Sequence, residues 1–170
     1  MCEDGKAPVI PKANLDRMTL VKDMVGEDDE ETALLHEMLK NATRCITGFP
    51  WCPPIEDVFL GAGIGGVVAL FLFHFREKIK GTDDWLWVVV GDLPSAYLVL
   101  DNSPDPVCAL EGYCELMDDW AKAVLDGQSL DDVYPVKAEP TEEHARMLLS
   151  RLEFIRDRII PHWRRDWPAE

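Results

Sequence analysis

Positive charge is scarce in this chain. Lysine and arginine number 17 against 32 aspartates and glutamates, a formal net charge of −15. A surface of that sign repels phosphate backbones, which argues against nucleic acid as a partner. CxxC spacing is also missing. The cysteines, Cys2, Cys45, Cys52, Cys108 and Cys114, are odd in number, and a chain of 170 residues buries enough core to stand without disulfide staples. Free thiols in a reducing, cytoplasmic compartment are therefore expected. The opening MCEDGKAPVIPKAN lacks the basic start and apolar run of an export signal, and Cys2 lacks the run that a lipidation signal follows. Internal repeats and low-complexity linkers are absent, so residues 1–170 are expected to form one domain. Residues 1–26 read as an irregular lead-in, held by Val9, Ile10 and Leu15, and 162–170 as a tail.

Hydrophobic residues make up 47% of the chain, enough for a globular core. The acidic run Glu27 to Glu31 suits the first turn of a helix, where it opposes the positive end of the dipole. Leu34, Leu35, Met38, Leu39, Ala42, Cys45 and Ile46 then recur at helical spacing, and Gly48 and Pro50 stop the helix. Phe49 to Pro54 must be loop, because its prolines fix φ and remove donors. From Val58 to Phe75 only His74 can carry charge. The glycines at 61, 63, 65 and 66 predict a turn or bulge, followed by a buried strand from Val67 to Phe75. The apolar part after Gly66 is too short to span a membrane.

Gly81 to Asp84 predicts a turn, Trp85 to Val90 a strand, Gly91 to Ser95 a second turn and Ala96 to Leu100 another strand. Connections this short favour an antiparallel meander. Asp105 followed by Pro106 starts a helix, and Gly127 ends it. Thr141 caps the last helix, whose Leu148, Leu149, Leu152, Ile155 and Ile159 face inward until Pro161. The expected fold is α+β: a sheet of about three or four strands with helices on one face, in the order α-β-β-β-α-α.

Two motifs suggest chemistry. Gly61-Ala62-Gly63-Ile64-Gly65-Gly66 resembles the dinucleotide fingerprint of flavin-dependent monooxygenases, in which glycines bring a helix N-terminus against a pyrophosphate. That fingerprint opens a βαβ unit, whereas here β-branched and aromatic residues follow it. A ligand loop of Gly61, Gly63 and Gly66 with His74, and with Asp83, Asp84 or Asp92 nearby, remains as one reading. His36-Glu37-Met38-Leu39-Lys40 misses HExxH at its last position, where a cation replaces the second imidazole ligand. No metal, cofactor or catalytic residue is expected.

The acidic stripe is the strongest positive clue. Asp101, Asp105, Glu111, Glu115, Asp118, Asp119, Asp126, Asp131 and Asp132 face a single base, Lys122. Glu111, Glu115, Asp118 and Asp119 share one side of their helix. A one-signed surface speeds association with a basic partner, and it equally serves as a solvated face. Arg146, Arg151, Arg156, Arg158, Arg164 and Arg165 follow in the last helix and tail, placed to pair with those acids within one molecule or between two. Trp163 and Trp167 lie past Pro161, where a small core does not easily cover them; an exposed contact surface and packing of the tail back onto the domain are both open.

The stretches Leu86 to Val99 and Tyr134 to Glu143 resemble small acidic bacterial proteins of unknown function. The resemblance spans about half the chain and brings no reaction or ligand. The leading expectation is a non-enzymatic, cytoplasmic interaction protein of immunity or inhibitor type. Its contact residues would be Glu111, Glu115, Asp118, Asp119, Asp131 and Asp132. The alternatives are a small-molecule binder at 61–66 and a structural homodimer joined through a sheet edge or the tryptophan tail.

Overall fold

The computed structural model describes residues 12–79, 83–100 and 103–168. Cys2, Val9, Ile10, the Gly81–Thr82 part of the predicted turn and Asp101 lie outside the described residues. The class is α+β, but the sheet has five antiparallel strands in sequential order: β1 (Thr19–Leu20), β2 (Ile55–Ile64), β3 (Val68–Ile79), β4 (Asp83–Gly91) and β5 (Leu93–Leu98). A short helix, α1 (Lys12–Asp16), and β1 occupy part of the region expected to be irregular. The main helices are α2 (Asp29–Thr47), α3 (Pro106–Leu125) and α4 (Glu142–Phe154).

Helices cover both faces of the sheet, not one. Ala69, Phe71, Phe73 and Phe75 of β3 pack with Leu35, Met38, Ala42 and Ile46 of α2. Val68, Leu70 and Leu72 point the other way, onto Leu110, Tyr113 and Met117 of α3 and Leu152 of α4. A central strand buried on both faces loses the usual apolar–polar alternation. This accounts for the uncharged run from Val58 to Phe75. The run is two strands of a hairpin, and among the described residues no helix is long and apolar enough to cross a membrane.

Local signals set the helix ends. Asp28 Oδ1 accepts the Glu31 N–H at 2.8 Å, Asp105 Oδ1 the Cys108 N–H at 2.8 Å and Thr141 Oγ1 the His144 N–H at 3.2 Å. Each satisfies an N–H with no partner inside its helix. At the end of α3, Gly127 takes φ 67°, and the Gln128 N–H reaches the Ala123 carbonyl at 2.9 Å, closing a Schellman turn.

The turn or bulge expected at the glycines is present in both forms: the β2–β3 register shifts between Leu60 and Ala62, a bulge at Gly61, and the turn follows at Gly65 and Gly66. β2 runs through Ile64, and the hairpin turns at 65–67. A β-carbon on Gly61 would stand 2.7 Å from Trp87 Cζ3 and 3.0 Å from Pro106 Cβ, so the missing side chain lets β4 and α3 close over β2. Pro161 does not end the last helix. A π-helical turn at Ile155–Ile159 leads into α5 (Ile160–Trp163), with the proline in its first turn. The wider turn removes the i−4 hydrogen bond that a proline ring would otherwise break. Of the two placements open to the tail, packing back onto the domain is the one found: Trp163 and Trp167 are both buried. The Arg17 guanidinium lies 4.2 Å from the Trp167 ring centre, and the tail closes against the lead-in.

Candidate functional site

The acidic face of α3 is partly neutralised by the arginines of the last helix and tail. Arg164 Nη2 donates to Glu111 Oε1 at 3.0 Å, while its Nη1 lies 3.5 Å from Asp105 Oδ2. Asp118, only 16% exposed, sits between Lys122 Nζ at 2.7 Å and Arg156 Nη1 at 3.6 Å. Glu115 and Asp119 are exposed on the same helix, and Asp131 and Asp132 are exposed on the loop that follows. Among the described residues these four carboxylates make no ion pair. The acids expected to work as one stripe thus divide into pairs internal to the fold and a free set facing solvent.

One of the free set, Glu115, borders a groove. A cleft of about 630 Å³ runs between α3 and the outer edge of β5, with Glu111, Glu115 and Leu116 on the helix side and Leu98, Val99 and Tyr134 opposite. Val99 is 52% exposed, large for an aliphatic side chain. The edge of β5 is not wholly open. Tyr134 arrives from the loop after α3, and its phenol oxygen accepts the Tyr97 N–H at 3.3 Å. One strand donor is thereby covered, as edge strands require in a monomer. Burial pushes the Tyr134 phenol up to about 12.

The residues of the alternative ligand loop do not converge. Gly66 lies at the turn before β3, whereas His74 lies far along it, roughly 25 Å away at strand rise. In the β2–β3 ladder Gly63 pairs with Ala69, but His74 pairs with Asp57. The loop amides are also occupied from within: the Gly65 N–H donates to Glu31 Oε1 at 2.8 Å and the Gly66 N–H to Met38 sulfur at 3.4 Å. A strand follows the glycines where a pyrophosphate site places a helix. His74 Nε2 lies 3.0 Å from Asp84 Oδ2, and its ring stacks on Trp85 with centroids 4.1 Å apart. It lines none of the four described clefts. Asp92 is engaged elsewhere, with Arg151 Nη2 at 3.3 Å. His36 is exposed on α2, with Nε2 3.2 Å from the Met24 carbonyl.

The four described thiols are poor nucleophiles. Cys45, Cys52 and Cys108 are raised by burial, and Cys114, 1% exposed, is pushed up to about 11. Folded Cys114 keeps a proton that the unfolded chain releases above pH 9.0, so its stabilising contribution is complete below that pH and lost as pH rises towards about 11. The full contribution is about 2–3 kcal/mol. The melting temperature should fall through this window, and Cys114→Ala should make the fall shallower. An unchanged slope would show that other groups carry it.

Among the described residues no group of three or more His, Cys, Asp and Glu side chains is placed to hold a metal ion. A second, larger cleft of about 720 Å³ lies beyond Tyr97 and Tyr134, between the end of α2 and the 134–137 loop. Its cations, Arg44 and Lys137, and its aromatic wall carried no sequence signal, because they come from segments that only folding brings together. No protein family, curated protein or solved structure matches the chain.

Proposed function

We propose that this protein is a non-enzymatic, cytoplasmic interaction protein that receives a basic segment of another protein in the groove between α3 and β5. The supporting observation is the juxtaposition in that groove of unpaired carboxylate and apolar surface. Glu115 stands beside Leu116 and half-exposed Val99, with Asp119 on the same helix. Apolar contacts hold a partner, and unpaired charge of one sign steers it and selects against acidic competitors. Asp131 and Asp132, on the loop that delivers Tyr134, extend the same field. Glu111 and Asp118 play a lesser part, since arginines already balance them. An inhibitor or immunity role, in which the groove masks a cationic site on a toxin or nuclease, fits this chemistry.

The test is affinity capture from the native host at low and at high salt, using wild type and the Glu115→Lys/Asp119→Lys variant. A partner of basic composition should be held at low salt, released at high salt and lost on charge reversal. Glu37→Lys, on α2 across the sheet, should retain it. A partner equally retained by the α3 variant would overturn the reading.

A further inference from the structure

We propose that the cleft between α2, β5 and the 134–137 loop is a binding site for a small flat organic anion, an aromatic ring carrying a carboxylate or phosphate. The site is separate from the α3 groove and shares with it only the dividing wall of Tyr97 and Tyr134. Its volume, about 720 Å³, is in the range of small-molecule sites.

Charge is the first argument. In a chain of net charge −15, this cleft is lined by Arg44 and Lys137 and by no aspartate or glutamate. Neither cation makes an ion pair among the described residues. Arg44 Nη1 donates to Asn41 Oδ1 at 3.3 Å, which leaves most of the guanidinium donors unused. Arg44 comes from the last turn of α2, Lys137 from the loop opposite. Lys137 is near enough to draw the Cys45 thiol downward against the effect of burial. The two cations therefore border the same space from different elements, which suits a clamp on one anionic group. Arginine supplies a planar fork for carboxylate or phosphate and lysine a point charge.

Shape is the second argument. Phe49 and Tyr97 wall the cleft edge to face, 5.2 Å between centroids, and Tyr134 meets Tyr97 at 6.0 Å. Trp51 stacks behind Phe49 at 5.0 Å. The rings hold one another, and the hydrogen bond from the Tyr97 N–H fixes Tyr134. A preordered aromatic surface loses little entropy when a flat ligand lies on it. Cations beside that surface select for an anionic edge.

The experiment is titration calorimetry on the full chain with three probes of one shape: 2-naphthoate, 2-naphthyl phosphate and neutral 2-naphthamide. Saturable one-to-one binding of either anion is expected, with the amide at least about tenfold weaker, since a charge-assisted contact is worth that much. The tighter anion identifies the headgroup. Arg44→Gln/Lys137→Gln should weaken anion binding by about tenfold or more. Both side chains are exposed, so its melting temperature should stay at the wild-type value. Glu115→Lys lies outside this cleft and should bind the anion as wild type does, which separates a failure here from a failure of the α3 groove. Absence of saturable anion binding at millimolar concentration would overturn the proposal. So would equal binding of the amide, or undiminished affinity in the double variant.

Discussion

Gly91→Ala should remove a large share of the stability of this protein, about 3 kcal/mol or more from a total that for domains of this size is about 5–15 kcal/mol. Gly91 ends β4 and pairs with Val68 on one side and Leu93 on the other. Its φ is 154°, a region that side chains avoid, and a β-carbon there would come within 2.1 Å of the Val67 carbonyl oxygen and 2.9 Å of Val68 Cα. These neighbours are backbone and cannot turn aside as a flexible side chain can. That carbonyl also accepts the Asp92 N–H at 3.0 Å, so moving it breaks the bond that turns β4 into β5. Gly127→Ala is the matched control. Its φ is 67° with nothing within 4 Å of the added carbon, so it carries conformational strain alone. It should cost about 1–2 kcal/mol. Urea midpoints that fall in the reverse order would show that the strands accommodate the methyl by sliding.

Gly91 also marks what was legible in the sequence. It was readable as a turn glycine between two strands, but its collision with β3 depends on register, which no local pattern encodes. The elements that were read correctly carry their own chemistry: an acidic run opening α2, an aspartate cap before α3, a threonine cap before α4, and aromatic and β-branched runs in β3 and β4. The continuation of β2 through Ile64 was missed because the strand passes a bulge at Gly61, which looks like its end until the Trp87 ring is seen filling the space above it. The second covered face was written in the sequence as well. Phe71, Phe73 and Phe75 alternate with Leu70 and Leu72, so both sides of β3 are apolar and both need a cover. The candidate contact residues were legible only as a charge pattern. Which of them remain free is a tertiary matter, decided by Arg156 and Arg164, 38 and 53 residues further along than the acids they meet.

The balance of charge around α3 thus rests on how firmly the tail is held, and the tail is held by tryptophan. Trp163→Ala and Trp167→Ala should each cost about 3–5 kcal/mol, the usual range for truncating a large buried aromatic ring. Each of these rings is only 6% exposed. The Trp167 carbonyl accepts from Arg164 Nη1 at 3.0 Å, and Arg164 in turn reaches Glu111 at 3.0 Å. Loss of the Trp167 ring should therefore loosen Arg164 and leave Asp105 and Glu111 with less cationic balance, besides opening a cavity. Val99→Ala, at a half-exposed position, should change the urea midpoint by no more than about 0.5 kcal/mol equivalent. If Trp167→Ala were as mild as Val99→Ala, the tail would be a dispensable strap, and the aromatic surface it presents would again be available to a second molecule. A large cost at a urea midpoint that does not change with protein concentration would locate both rings in the core of the single chain and take the tryptophan tail out of any homodimer interface.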